Sequence, residues 1–303
     1  MTDLLFFIEV LVAGLTSGTL YALVALGFVL IYKASGVFNF AQGVMVLFAA
    51  QTFVGVAAAL GSKSPGDFGF LASFAITTAI MILLAFVVER FVLRPLVNQP
   101  QITLFMATIA LTFLLDGFTL MLWGSRPTML DIGVSDEPVE VWGMLIRKLD
   151  MVAVGIAFAV VTALGIFFRR SHLGRALRAV GDDHQAALSI GISLKQMWIV
   201  VWAVAGIVAL FAGLVWGAKL GVQPALSVLA LKALPVLILG GFTSIPGAVL
   251  GGLIVGAGEK LAEVYLGPYV GGALENWFAY ALALVFLVFR PQGLLGEKII
   301  ERV

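Results

Sequence analysis

Long runs of apolar residues follow one another along this chain, and they constrain its fold more than any other feature. About 20 apolar residues span the hydrocarbon core of a bilayer. Within hydrocarbon every backbone N–H and C=O must be bonded internally, which favours helices. Of the 303 residues 61% are hydrophobic and 12% are charged, and a soluble core cannot hide so much apolar surface. The sequence therefore predicts an all-α, polytopic integral membrane protein in contact with lipid.

The runs predict about eight or nine transmembrane segments in one membrane domain over residues 1–303. The longer ones are expected near 5–31, 37–60, 70–92, 102–123, 151–168, 197–217 and 274–289. Two shorter runs, 226–241 and 247–266, are separated by a Gly/Pro-rich break at 240–247. Such a break is tolerated at membrane depth only where protein or a water-filled cavity covers it. We interpret these runs as a broken or re-entrant helix pair, with two ordinary short helices as the alternative.

Lys and Arg predict the orientation, because they accumulate on the cytoplasmic side. The most basic stretch is RRSHLGRALR at 169–178, which we expect in the cytoplasm. Alternate crossings then place further basic residues on the same side: Lys33, Arg90, Arg94, Lys195, Arg290, Lys298 and Arg302. The prediction is an outside N-terminus, a cytoplasmic C-terminus and a mildly acidic external loop at 124–150. That loop either docks a partner or serves as a solvated connector.

The cytoplasmic segment 169–196 has the composition of a docking surface. Charged anchors and small residues that permit close helix contact are Arg175, Arg178, Ala179, Asp182, Asp183, Ala186, Ala187 and Gly191. Gly181 and Gly191 are expected to bracket a short helix, because glycine commonly ends helices. A stiff surface helix can transmit the push of a cytoplasmic motor to the spans on either side. The alternative is a basic loop that only fixes topology.

Polar side chains in or beside the apolar runs are candidates for a substrate path. They are Thr19, Asn39, Gln42, Asp116, Thr243 and Ser244. A carboxylate in a membrane span usually faces a bundle interior or a cavity, so Asp116 either lines the path or pairs with a cation such as Lys232. Asn39 and Gln42 either offer amide hydrogen bonds to a solute or cap local backbone. Charged residues near the outer end of the run 247–266 are expected to snorkel toward water: Glu259, Lys260 and Glu263.

The residue patterns of enzymes and metalloproteins do not occur in this sequence. It has no cysteine, and its histidines, His172 and His184, lack acidic ligands at metal spacing. A phosphate-binding loop needs the pattern G-x-x-x-x-G-K-[ST], and the nearest approach, at 61–64, does not fit it. The net charge of +1 gives no general attraction to nucleic acid. We therefore expect no catalytic residues, no metal and no nucleic-acid partner.

Short motifs in order along the chain resemble those of the branched-chain amino-acid ABC permease family. They are GTLYALVALGF at 18–28 with IY at 31–32, GVFNFAQG at 36–43, RPL at 94–96, LGRALRAV at 173–180, GGFTSIPGAVLGG at 240–252 and FRPQGLLG at 289–296. The segment 169–196 also resembles the coupling loop of ABC importer permeases. The chain departs from the family in having Val44 where an acidic residue usually follows the glycine, and DDHQ at 182–185 where Asp-Pro-Glu is common.

The resemblance implies a non-catalytic permease subunit in the cytoplasmic (inner) membrane of a bacterium or archaeon. Its partners would be a second, related permease, an external substrate-binding protein and two cytoplasmic ATPase subunits that bind ATP and Mg, while this chain binds no cofactor. The family's default cargo is a branched-chain or other hydrophobic amino acid, with urea or short amides as the alternative. A different class, an ATP-independent secondary transporter or channel, would need titratable groups along its path, for which Asp116 and Lys232 are the candidates.

Overall fold

The computed structural model of the protein describes residues 2–62, 64–97, 99–135, 137–182, 187, 189 and 191–296. Helices dominate it, which confirms the all-α prediction. In chain order they are α1 (Thr2–Ser35), α2 (Gln42–Ala59), α3 (Phe68–Val88), α4 (Gln101–Trp123), α5 (Lys148–Arg170), α6 (His172–Asp182), α7 (Leu194–Leu220), α8 (Ala225–Leu229), α9 (Ala233–Gly240), α10 (Ile245–Tyr265), α11 (Gly267–Val270) and α12 (Phe278–Phe289). Among the described residues, 7 helices are long and apolar enough to cross a membrane, namely α1 to α5, α7 and α10.

The chain folds into two compact units that alternate along the sequence. Unit 1 comprises Met1–Val29, Val134–Phe158 and Leu231–Val303. Unit 2 comprises Leu30–Gly133 and Ala159–Ala230. Each unit has its own set of packed apolar helices.

In unit 1, α10 lies directly against α1 at glycine positions. A methyl group on Gly252 would collide with the carbonyl oxygen of Gly18, and one on Gly18 would collide with the carbonyl of Gly252. One helical turn away, Gly256 meets the backbone of Gly14 and Gly18 in the same way. Small residues that bring two backbones together in this manner are typical of membrane helix packing.

We expect Gly252→Val to destabilise unit 1, because its side chain would force α1 and α10 apart. Overpacking of this kind costs about 1–3 kcal/mol or more. The measurement is the melting temperature of the purified protein in mild detergent, followed by size-exclusion chromatography after heating. Gly155→Val in α5 is the matched control, since a Cβ atom there meets no described atom within 4 Å. Equal melting temperatures for the two variants would contradict the close helix contact.

In unit 2, α7 packs against both α2 and α3. The rings of Phe74 and Phe211 lie 5.5 Å apart, and Gly206 lies beside Met81. Phe74 precedes Met81 along α3, whereas its partner Phe211 follows Gly206 along α7. The two helices therefore run antiparallel. The largest fully buried side chain of α7, Trp202, is 1% exposed, so α7 contributes to the core of this unit.

Some observed boundaries differ from the predicted spans. The predicted run 226–241 is interrupted by a 3-10 turn at Ala230–Lys232, because Pro235 has no N–H to continue α-helical bonding back to the preceding turn. The predicted span 274–289 begins with a 3-10 turn at Leu274–Asn276 and is α-helical only over Phe278–Phe289, which is shorter than a bilayer crossing. The predicted span 37–60 begins its helix only at Gln42.

The external loop predicted at 124–150 contains a β-hairpin that the sequence analysis missed. Strands β1 (Pro138–Val141) and β2 (Met144–Arg147) pair antiparallel. The turn residues Trp142 and Gly143 have φ values of 53° and 80°, as a type I′ turn requires. Tryptophan is rare at positive φ, so Trp142-Gly143 does not read as a turn signal in the sequence.

Candidate functional site

The first polar break lies in unit 2, where the chain leaves α1 and enters α2. Asn39 and Gln42 are fully buried there. The Asn39 Oδ1 atom accepts a hydrogen bond from the backbone N–H of Ala41 at 3.1 Å, so Asn39 caps local backbone, one of its two predicted roles. Gln42 donates from Nε2 to the carbonyl of Ala205 at 3.5 Å, and its Oε1 has no hydrogen-bond partner among the described residues.

Thr108 of α4 fixes the same break from the opposite side, and the sequence analysis did not select it. Its hydroxyl accepts a hydrogen bond from the backbone N–H of Phe40 at 3.1 Å. The same oxygen lies 3.2 Å from the carbonyl of Phe38 and 2.8 Å from that of Phe105. One hydroxyl therefore ties α4 to two backbone groups of the break across 68 to 70 positions of sequence.

We expect Thr108→Val to loosen this break, because the partly buried N–H of Phe40 loses its acceptor. An unpaired buried donor costs about 1–3 kcal/mol. Chemical unfolding of the variant measures this cost. The control is Thr112→Val one turn along α4, whose hydroxyl bonds, among the described residues, to the carbonyl of Thr108 within its own helix. If both variants unfold alike, Thr108 does not hold the break.

The second polar break lies in unit 1, between α9 and α10, and it confirms the predicted Gly/Pro-rich break. Gly241 ends α9 with φ 102°. Ser244 is the N-cap of α10 and accepts a hydrogen bond from the backbone N–H of Gly247 at 3.0 Å. The two helices then pack so closely that a methyl group on Gly240 or on Gly247 would collide with the other residue's carbonyl. The depth of this helical hairpin in the membrane stays a prediction.

The C-terminal motif at 289–296 closes this second break. The backbone N–H of Leu294 donates to the carbonyl of Leu239 at 2.8 Å, and that of Leu295 donates to Gly240 at 3.2 Å. The last carbonyls of a helix have no partner within the helix, so these bonds complete the end of α9. Gly293 has φ 81° and lies directly against the backbone of Gly241. The fold thus brings together two motifs that the sequence shows only separately.

A cluster of charged residues occupies the interior of unit 1. Glu259 is 1% exposed, so the prediction that it snorkels is wrong. Its Oε1 atom lies 3.8 Å from the ammonium of Lys232, and its carboxylate is hydrogen bonded by the hydroxyl of Tyr21. Lys232 also donates to the backbone carbonyl of Glu275 at 3.0 Å. The cation that we predicted as a partner for Asp116 therefore pairs with Glu259 instead.

The remaining members of the cluster link the end of α10 to the turn before α12. The ammonium of Lys260 lies 3.0 Å from Glu275 Oε2. The carboxylate of Glu263 accepts hydrogen bonds from the backbone N–H groups of Ala273 at 3.1 Å and Glu275 at 2.9 Å. Lys260 and Glu263 therefore make specific contacts that the snorkelling prediction did not include.

The predicted path residues are divided between the units. Thr19, Thr243 and Ser244 belong to unit 1, whereas Asn39, Gln42 and Asp116 belong to unit 2. Thr19 is half-buried, and its hydroxyl donates to the carbonyl of Thr16 at 2.7 Å within α1. Thr243 and Asp116 are also half-buried. Contact of these residues with a substrate stays a prediction.

The predicted coupling segment contains α6, a short amphipathic helix. It begins after Ser171, whose hydroxyl accepts a hydrogen bond from the N–H of Gly174 at 2.8 Å. Leu177 and Val180 are 2% and 0% exposed, so they form the inward face, and α6 packs on α7. Arg175 is exposed on the other face. Its guanidinium lies 2.9 Å from His172 Nδ1.

The other predicted coupling residues are placed as follows. Gly181 is the next-to-last residue of α6, and a Cβ atom there would lie 2.8 Å from the carbonyl oxygen of Lys33. Arg178 and Ala179 are half-buried, Gly191 is exposed with φ 86°, and Ala187 is 2% exposed. Asp183, Ala186 and the side chain of Asp182 lie outside the described part of the chain.

Sequence comparison identifies relatives along almost the whole chain. Residues 10–290 match the family described as branched-chain amino acid transport system / permease component. The high-affinity branched-chain amino acid transport system permease protein BraD of Pseudomonas aeruginosa is 29% identical over 312 residues, covering 100% of both chains. LivH of Escherichia coli K12, described in the same words, is 30% identical over 307 residues, covering 99% of this chain and 98% of the relative.

Structural comparison identifies a similar fold at low sequence identity. PsaBC from Streptococcus pneumoniae, solved in complex with Fab, superposes with a TM-score of 0.50 at 14% identity. The match covers 92% of this chain and 91% of the other. At this identity the likeness bears on the fold alone.

Proposed function

The chain belongs to the branched-chain amino acid transport system permease family, and on that premise we propose that it is one membrane subunit of an ATP-driven importer of branched-chain and other hydrophobic amino acids. The observation that carries the proposal is α6. This short amphipathic helix has an apolar inward face and an exposed arginine, and it lies between two long apolar helices in the sequence. Permeases of this family dock their cytoplasmic ATPase subunits at such a helix. The curated relatives supply the substrate class, since their descriptions specify branched-chain amino acids.

Transport in this proposal requires partners. A second, related permease completes the path, an external binding protein delivers the substrate, and two cytoplasmic ATPase subunits bind ATP and Mg. Only Ser171 separates α5 from α6, and α6 packs on α7. A displacement of α6 by the ATPase subunits would therefore reach both membrane helices directly. The resulting rocking would open the path to each side in turn.

The proposal also specifies orientation. Arg169, Arg170, Arg175 and Arg178 surround the α5–α6 junction, and basic residues of short loops stay in the cytoplasm. We therefore place α6 and the C-terminus in the cytoplasm and the N-terminus outside, in a bacterial or archaeal inner membrane. The β-hairpin at 138–147 would then face outward, on the side where a binding protein delivers substrate.

The test is co-purification followed by transport. The tagged chain is solubilised in mild detergent, and the chains that accompany it are identified by mass spectrometry. The recovered complex is reconstituted in liposomes with the binding protein, and uptake of radiolabelled L-leucine and of urea is measured with and without internal ATP. We expect two ATPase subunits, a second permease and ATP-dependent leucine uptake.

Each other result points to a specific alternative. ATP-dependent uptake of urea but not of leucine would support the ATP-driven importer and identify urea, rather than an amino acid, as its cargo. Recovery of the chain alone, with uptake that does not depend on ATP, would favour a secondary transporter or channel.

A further inference from the structure

The charged cluster inside unit 1 has a buried carboxylate oxygen without a hydrogen-bond partner. Glu259 Oε1 is inaccessible to solvent, and no described residue donates to it. The nearest cation, the ammonium of Lys232, is 3.8 Å away, which is beyond hydrogen-bond distance. A buried charge without full pairing is expensive, and an ionisable group within a membrane span marks a functional site by default.

Lys232 has hydrogen-bonding capacity to spare at the same place. An ammonium group has three N–H donors, and among the described residues its hydrogen-bond acceptor is the carbonyl of Glu275. The other N–H donors of Lys232 make no hydrogen bond to a described residue, and the ammonium lies 3.8 Å from Glu259 Oε1. The Tyr21 ring also lies close by, with its centroid 5.9 Å from the Lys232 nitrogen. An acceptor and donors are therefore left open next to each other.

From this juxtaposition we propose that Lys232 and Glu259 bind the charged head group of an α-amino acid during transport. The ammonium of the amino acid donates to Glu259 Oε1, and its carboxylate accepts from Lys232. Both groups of the substrate are attached to one carbon atom, so they lie side by side as the two protein groups do. This inference rests on the proposed function and adds where the zwitterion is recognised.

The solvent exposure of the side chains decreases along the cluster from Lys260 and Glu275 to Glu259, which indicates a route by which a substrate could reach the buried oxygen. The side chains of Lys260 and Glu275 are 32% and 33% exposed, that of Lys232 is 14% exposed, and that of Glu259 is 1% exposed. The charges thus continue from the surface to the buried oxygen. Lys232 is also the last residue of the 3-10 turn that interrupts the helical run from α8 to α9, and substrate sites of transporters commonly lie at such discontinuous helices.

The experiment uses the reconstituted complex with its binding protein and compares Glu259→Gln, Lys232→Met and the double variant K232M/E259Q. Melting temperature, ATP hydrolysis and radiolabelled L-leucine uptake are measured for each. Each single variant leaves one buried charge unpaired, so we expect lower stability in both. The double variant removes both charges, and we expect its melting temperature and ATP hydrolysis to recover. Its leucine uptake is expected to stay lower by about tenfold or more, because both charge-assisted contacts to the substrate are gone.

The control is Glu9→Gln, which removes a half-buried carboxylate of α1 outside the cluster and is expected to transport at the wild-type rate. Recovery of leucine uptake together with stability in the double variant would overturn the site, since the pair would then be purely structural. Unchanged uptake in both single variants would overturn it as well. Absence of leucine uptake by the wild-type complex would instead refute the proposed function.

Discussion

Arg175→Glu is expected to abolish most ATP-driven uptake while leaving the permease folded. Arg175 is exposed on α6, and its bonds to His172 and to the carbonyl of Arg170 are surface contacts, which contribute little to stability. If an ATPase subunit docks here, a reversed charge places repulsion where the interface has attraction. Such a change costs several kcal/mol and would lower uptake by about tenfold or more.

The readouts are leucine uptake in liposomes and recovery of the ATPase subunits with the tagged permease. The matched control is Arg126→Glu, the same charge reversal on an exposed residue of the predicted external loop. We expect the control to retain its ATPase subunits. Wild-type recovery of those subunits and wild-type uptake in Arg175→Glu would show that α6 does not dock them through this arginine.

Much of the helical framework could be predicted from the sequence, because a run of about 20 apolar residues is enough to indicate a helix that spans the bilayer. Runs such as 102–123 and 197–217 appear as α4 and α7, extended by a few residues at one end or at both. Interruptions were harder to predict. The break at 240–247 has glycine and proline within it as signals. The turn at Ala230–Lys232 contains neither residue, and it arises because Pro235 lacks the N–H that would bond back to the preceding turn.

The polar contacts could not be predicted, because their partners are distant in sequence. In the sequence Lys232 looks like an isolated charge and Glu259 like one of several charges near the end of an apolar run, and only the fold of unit 1 brings the two side chains to 3.8 Å. Thr108 resembles any threonine in a membrane helix until α4 is placed beside the Asn39 break. Hydropathy reports on lipid contact and carries no information about which polar groups meet inside a bundle.

Conformational strain explains a second class of missed features. Trp142 and Ala273 adopt positive φ, where sequence reasoning expects glycine or asparagine. The surrounding contacts, a hairpin for Trp142 and the Glu263-bonded turn for Ala273, impose these conformations.

The C-terminal closure of α9 supports a second prediction with a large effect, for Gly293→Ala. The residue has φ 81°, and a left-handed conformation costs a non-glycine residue about 1–2 kcal/mol. In addition, its new methyl group would lie 2.6 Å from Gly241 Cα, and relieving that overlap adds about 1–3 kcal/mol. The bonds from Leu294 and Leu295 to the end of α9 would be strained or lost, so we expect both stability and uptake to fall.

Gly271→Ala separates the two causes. Gly271 also has positive φ, 92°, but a methyl group there meets no described atom within 4 Å. This variant therefore has the backbone strain alone, and its melting temperature should fall much less than that of Gly293→Ala. If the two variants lose equal stability, backbone strain alone explains the loss, and the contact of the motif at 289–296 with the end of α9 does not stabilise the helical hairpin. If only Gly293→Ala also loses leucine uptake, the position of α9 against α10 is required for transport, because the motif at 289–296 bonds to the end of α9 within unit 1.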